Sequence, residues 1–390
     1  MSQKGLRFIF VAPYVRESDE RLRLIEYINF HKIAKQSVFI GNPLPNTIRA
    51  KTVIRVWLEG QLKQERFISR KHNDSTSWLV DVFITLAYSL KFRTRFEYYV
   101  GAGTWFQASL GLLLKKLGIV RTVVFWTTDY MARRSTVDAI SRLYQSLDRF
   151  CAEHSDICWS PTESLVAARI RSNYELNSRK QILIPYTVPF SSTWTPQNSQ
   201  TFIPNSIIYM GAFMGGRHGF DLLLESVASL VRKGCRTLKV IVLSYERTPT
   251  KYLTSIDALG LDSYFQFLGF VEKDSKVNEI ISKGMVGLAL YEPGFKTFDD
   301  PARPKHFLAN GVPVIISRSV PFAKMVEAAN AGFAISYNSE ELTGALLSIF
   351  EGRLAYGALR DNAARLGLQL DSDNVFSNVL SLSGICAAGS

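Results

Sequence analysis

Short runs of β-branched and aromatic residues alternate with longer stretches of helical period along most of this chain; the alternation stops once, then restarts. The first half reads as strand LRFIFVAP, helix LIEYINFHKIAKQ, strands SVFIGNP and TVIRVWL, an amphipathic stretch from Trp78 to Leu90, strand FEYYVGAG and helix FQASLGLLLKKLG. Strand RTVVFWTTD, a helix from Val137 to Glu153, DICWSP and QILIPYTVPF complete it. Such alternation implies a parallel sheet with crossover helices, because parallel strands need a long connection that packs back on the sheet. Ser191 to Asn205 has no apolar period and is rich in Ser, Thr, Pro and Asn, as linkers are. The pattern resumes with SIIYMGA, FDLLLESVASLVRKG, LKVIVLS, FQFLGF, VNEIISKG, MVGLALY and VPVIIS. The expected class is α/β, with two Rossmann-like, doubly wound parallel-sheet domains facing across a cleft. Their spans are 1–190, a linker over 191–205, 206–370, and a helical tail over 371–390 returning to the first domain.

Charge narrows the partners. Forty-six Lys and Arg against thirty-four Asp and Glu give a net +12, which favours nucleotide phosphates, anionic lipid headgroups or nucleic acid. Nucleic acid is the weakest of these, since the basic residues are dispersed and do not line up with aromatics in one module. Cys151, Cys158, Cys235 and Cys386 lack zinc-site spacing and disulfide density, and the first residues lack a signal-peptide core, so a cytoplasmic location is expected. The stretch from Trp78 to Leu90 contains Asp81 and is too short to span a bilayer. It reads either as a core helix or, with Trp78, Leu79, Val82 and Phe83, as a helix lying on an anionic inner membrane face.

Ligands of doubly wound sheets bind beyond the carboxyl ends of the strands. The segment DDPARPKHFLANGVPVI, Asp299 to Ile315, occupies such a place: MVGLALY ends near Tyr291, a long loop follows, and KHFLAN reads as a short helix closed by Asn310-Gly311. Arg303 and Lys305 add formal charge where helix N–H groups already favour an anion, so a diphosphate is the expected occupant. The turn YMGAFMGGRHGF supplies Gly211, Gly215, Gly216 and Gly219 for close backbone approach, with Arg217 and His218 at the entry of the next helix. It is neither a dinucleotide fingerprint nor a P-loop.

The second half resembles the nucleotide-sugar domain of GT-B glycosyltransferases like family 4, also called group 1. The likeness rests on the Gly-rich strand-turn-helix from Tyr209 to Leu230, on HFLANGVPVI, and on PFAKMVEAANAGFAISYNSEELTGALLSIF. The resemblance implies a GT-B fold, a nucleotide-diphosphate sugar as donor substrate, and no further cofactor. Anchored on Gly311-Val312-Pro313-Val314, Arg303 falls at the family's lysine, His306 at its second glutamate and Phe307 at its tyrosine. Ala212 and His218 replace the usual Arg and Lys of the Gly-rich turn, and Arg217 stands ready to compensate. Together with the charge and turn readings above, the donor site expected is Gly211, Gly215, Gly216, Arg217, His218, Tyr291, Asp300, Arg303, Lys305 and His306. The donor-sugar carboxylate is one of Glu292, Asp299 and Asp300, with Glu292 favoured, and the stereochemical outcome stays open.

The first half is expected to hold the acceptor and a general base. RTVVFWTTD delivers Asp129 past its carboxyl end, a place similar to the corresponding Asp of the inverting glucuronosyltransferase of xanthan assembly; a helix cap or an ion pair with Arg133 or Arg134 is the alternative reading. Asp19, Glu20 and Arg21 follow the first strand and are the acceptor-side candidates. The histidines lack mutual ligand spacing and no Asp-x-Asp pair occurs, so no metal site is expected. The function expected is metal-independent transfer of a sugar to a hydroxyl of a glycan or lipid-linked acceptor, in polysaccharide or glycoconjugate assembly. A GT-B sugar-nucleotide epimerase and a catalytically silent GT-B subunit are the alternatives.

Overall fold

The computed structural model describes residues 5–14, 20–43, 51–69, 77–92, 95–128, 130, 138–177, 180–190, 202–213, 216–244, 246–271, 273–295, 298–352 and 355–385. The chain forms two compact units, Met1–Pro185 with Val375–Ser390, and Tyr186–Asn374.

In the first unit β1 (Leu6–Tyr14), α1 (Glu20–Phe30), β2 (Ala34–Pro43), β3 (Lys51–Leu58) and β4 (Gln61–Ser69) are followed by α2 (Ser77–Lys91), β5 (Phe96–Gly103), α3 (Trp105–Lys116) and β6 (Val120–Thr127). Then come α4 (Asp138–His154), β7 (Ile157–Ser160), α5 (Glu163–Arg171) and β8 (Gln181–Leu183). The sheet order is β4-β3-β2-β1-β5-β6-β7-β8. Along β1 the side chains alternate between two cores: Phe8, Phe10 and Ala12 pack with α1, while Ile9 and Val11 share a cluster with Ile84 of α2 and Leu110 and Leu114 of α3. Burial on both faces explains why the strand reads as one unbroken apolar run.

Two elements depart from the expected parallel pattern. TVIRVWL pairs antiparallel with β2, and β4 pairs antiparallel with β3 through a tight turn at Glu59 and Gly60. β2 ends at Pro43 and β3 starts at Lys51, a separation in sequence too short for the crossover that a parallel partner needs. The sequence QLKQERFIS of β4 carries no apolar run because most of it is exposed at the sheet edge.

The second unit holds β9 (Ser206–Met210), α6 (Phe220–Arg232), β10 (Lys239–Leu243), α7 (Thr250–Ala258), β11 (Phe265–Gly269), α8 (Asp274–Ser282) and β12 (Val286–Ala289). They are followed by α9 (Ala302–Ala309), β13 (Val314–Ser317), α10 (Ala323–Ala328), β14 (Gly332–Ile335), α11 (Ser339–Phe350) and α12 (Tyr356–Gln369). The last helix, α13 (Ser372–Leu382), puts Phe376, Val379 and Leu380 into the first unit's core and is fixed there by Trp159 Nε1 donating to Ser383 Oγ at 2.9 Å. The second sheet is wholly parallel, in the order β11-β10-β9-β12-β13-β14. One face packs on α6, α7 and α11 through Phe220, Leu223, Tyr252, Leu342 and Leu346; the other packs on α9, α10 and α12. The chain winds outward from β9 through β10 to β11, then returns to lay β12 on the other side of β9. The crevice at the carboxyl ends of β9 and β12 is therefore the topological switch point, where such sheets hold their ligands.

Candidate active site

Two loops meet at that switch point. After β9 the chain turns at Gly211, whose φ is +129° and where a Cβ would lie 2.3 Å from Arg303 Nη2. At the far end of the turn Gly219 (φ +73°) presses against Leu290, leaving 2.3 Å for a Cβ. Both positions need glycine twice over, for the positive φ and for the contact. Phe213 N–H donates to Glu246 Oε2 at 2.9 Å, and Tyr337 Oη donates to Gly216 O at 2.9 Å, so carboxylate and phenol hold the turn in shape. Burial first, then Glu292 and Asp221, push the Tyr337 hydroxyl up to about 12, which keeps it a donor.

After β12, Tyr291 N–H donates to Ser317 Oγ at 2.8 Å and Glu292 N–H to Arg217 O at 3.0 Å, tying the two loops together. The Glu292 carboxylate stands 3.7 Å from Arg217 Nε, with both side chains more than half exposed. Arg217 also lies over the Phe295 ring, 5.7 Å from its centroid.

Arg303 is the buried cation of this site, only 7% exposed. Its guanidinium is held between the rings of Tyr209 and Tyr291, at 5.5 and 5.2 Å, and burial drives the Tyr209 hydroxyl up against the opposing pull of that charge. Nη2 is 2.8 Å from His218 Nδ1, and the same nitrogen is 2.8 Å from Ala212 O. One imidazole nitrogen cannot accept from Arg303 and donate to Ala212 together, so one contact is unsatisfied in either tautomer. Nη1 has no hydrogen-bond partner among the described residues. A buried guanidinium lacking a partner is costly unless a ligand supplies acceptors. Arg303 sits in the first turn of α9, whose N-cap, Pro301, has no side-chain acceptor, so the positive helix end adds to its charge.

The helix begins at Ala302, earlier than the expected KHFLAN, because Pro304 is tolerated in a first turn. That changes the role expected of Lys305. Its side chain is fully buried, pairs with Asp300 Oδ2, and donates to Tyr186 O at 2.8 Å. Asp300, 4% exposed, also accepts from Tyr186 N–H at 2.6 Å, and burial raises its carboxyl against the pull of Lys305. Both residues face the backbone at Tyr186; they do not join the Arg303 cluster. His306 is half-buried on α9 and Asp299 half-buried before it.

Gly211, Gly216, Arg217, His218, Tyr291, Glu292 and Arg303 thus converge, whereas Asp300 and Lys305 do not. Glu246, Phe295 and Tyr337 belong to the site and were not anticipated. Glu246 and Tyr337 lie just beyond the carboxyl ends of β10 and β14, which the position rule for such sheets marks out. Gly215, Asp19 and Asp129 lie outside the described residues. Glu20 opens α1 and is 7% exposed, and Arg21 is half-buried beside it. The strand leading to Asp129 ends at Thr127, whose Oγ1 accepts from Arg169 Nη2 at 2.9 Å; Arg169 is fully buried and bidentate on Asp148. Among the described residues no three His, Cys, Asp or Glu side chains converge as metal ligands would.

Residues 204–351, within the second unit, match the family described as "Glycosyl transferases group 1". HepE from Anabaena, solved with UDP, matches over 98% of this chain and 100% of its own, at TM-score 0.68 and 12% identity. Sucrose-phosphate synthase from Thermosynechococcus elongatus matches over 97% of this chain and 98% of its own, at TM-score 0.73 and 11% identity. WaaG, a glycosyltransferase involved in lipopolysaccharide biosynthesis, matches over 98% and 100%, at TM-score 0.64 and 14% identity. No curated protein matches. The fold is GT-B.

Proposed function

We propose that this protein moves a sugar from a nucleoside-diphosphate donor to a hydroxyl of a glycan or lipid-linked acceptor. The observation that carries the reading is the Arg303 guanidinium, buried beside the Gly211 turn, with Nη1 lacking a hydrogen-bond partner among the described residues. An HepE structure with UDP-glucose bound supports a uridine donor. Arg303, the exposed Arg217 and the N-terminus of α9 would take up the charge of the departing diphosphate, a metal-independent arrangement. Glu292, half exposed beside Arg217, is the carboxylate for the donor sugar, and Asp129 the base for the acceptor hydroxyl.

Two helices of the first unit support an acceptor at an anionic membrane face. α2 turns Asp81, Thr85 and Ser89 inward and leaves Leu79, Val80, Phe83 and Leu90 exposed; α4 buries Ser141 and Asp148 and exposes Ile140, Leu143 and Phe150. Exposed Lys91, Lys116 and Arg142 lie on the same helices and on α3. Such surfaces lie on a bilayer without crossing it, and no helix among the described residues is long and apolar enough to cross. The decisive experiment incubates the protein with UDP-sugars with and without lipid-linked and free glycan acceptors. Acceptor-dependent release of UDP is the expected result; release or epimerisation independent of acceptor refutes transfer. Flotation with neutral and anionic vesicles tests the location, and equal recovery with both refutes the electrostatic attachment.

A further inference from the structure

The Asp300–Lys305 pair is the buried charged group that the Arg303 site leaves unused. It grips one residue, Tyr186, by both backbone groups: Asp300 takes its N–H and Lys305 its C=O. Tyr186 follows Pro185 and is the first residue of the second unit. The chain leaves that unit again after Asn374, and the two crossings are joined to each other. Val188 bridges Asp371 in parallel, Phe190 N–H donates to Asp371 Oδ1 at 2.6 Å, and Ser372 Oγ lies 3.2 Å from Thr187 Oγ1. A buried ion pair adds little net stability over apolar packing, so what it contributes is position.

Arg303 and Lys305 belong to one helical turn. The former reaches the Gly211 turn and the latter reaches Tyr186, so that turn links the anion cradle to both chain crossings. We propose that Asp300 and Lys305 are positioning residues: they fasten the crossings to the head of α9, so that a nucleotide diphosphate seated on Arg303 stiffens residues 186–190. The coupling rests on the nucleotide reading of the Arg303 site; the fastening does not.

Hydrogen exchange of residues 186–190, followed by mass spectrometry with UDP as the probe, separates the two. In the unmodified protein these amides exchange slowly, and saturating UDP slows them further, by about threefold or more. In the double variant Asp300→Leu with Lys305→Met, which removes both charges together, exchange without nucleotide rises about tenfold or more, and its response to UDP disappears. UDP affinity by calorimetry stays within about threefold in that variant, because neither residue touches the anion. Unchanged exchange without nucleotide overturns the fastening. A tenfold loss of UDP affinity with unchanged exchange also overturns it, and makes Lys305 a direct phosphate ligand. If the double variant does not fold, Lys305→Arg keeps the charge but not the single-point geometry; the response to UDP should weaken at normal affinity, and an intact response overturns the proposal. Calorimetry silent in the unmodified protein overturns the nucleotide reading and the coupling, while exchange without nucleotide still decides the fastening.

Discussion

Replacing Arg303 by Met should separate ligand affinity from fold stability. In the free protein the guanidinium is 7% exposed, has one contested contact at 2.8 Å to His218, and leaves Nη1 without a partner among the described residues. An unsatisfied buried donor costs about 1–3 kcal/mol. Against that stand two cation–π contacts, with Tyr209 and Tyr291, each contributing about 0.5–2 kcal/mol over the range from exposed to desolvated pairs. The two sides nearly cancel, and Met fills much of the same volume without a charge. Unfolding free energy should therefore shift by no more than about 1 kcal/mol in either direction. Binding behaves differently, because each hydrogen bond to a charged group is worth about 1.5–3 kcal/mol, and the loss corresponds to a factor of roughly 10 to 150 in Kd. Titration calorimetry with UDP, paired with urea unfolding of the same samples, reads both numbers. A folded variant that binds UDP as the parent does refutes the phosphate role. A loss of stability beyond about 3 kcal/mol would show that Arg303 serves the core.

Three further outcomes are expected. Gly211→Ala places a Cβ 2.3 Å from Arg303 Nη2 at a φ of +129°, so UDP affinity should fall about tenfold or more although no charge is touched, and calorimetry on the folded variant checks it. Asp129→Asn should lower turnover by a factor on the order of 10² or more while UDP affinity holds, if product NMR shows inversion at the anomeric carbon; near-normal turnover in an inverting enzyme rules out the base. Cys151, whose thiol is pushed up to about 12 by burial and by Asp148, and Cys158, raised by burial, remain protonated at neutral pH and should resist iodoacetamide until the protein unfolds, as mass spectrometry before and after urea will report.

The two-sheet architecture was legible because its strands are buried on both faces, so SIIYM and VIIS read as apolar runs whatever their neighbours. Elements whose stability comes from context were not legible. β4 is an exposed edge strand recruited by β3, and α5 and α7 are nine-residue helices whose mixed composition carries no strong period. At the site, Gly211 and Gly219 stood out because their residue type is itself the constraint. Tyr337 and Glu246 did not, because a tyrosine or a glutamate acquires its task only from the loop it happens to face.

Arg303 and Lys305 show where residue type and spacing run out. Both are cations at the head of a short helix, and sequence reasoning assigned both to one anion. Residues two apart on an α-helix point about 200° away from each other, so they cannot easily share a partner. The structure supplies the deciding fact: most residues of α9 are buried, so each charge on it requires its own compensation. Asp300, five positions before Lys305, supplies one. With Lys305 already compensated, Arg303 is the buried α9 cation with a donor that lacks a partner among the described residues, and so the one suited to respond when a diphosphate arrives.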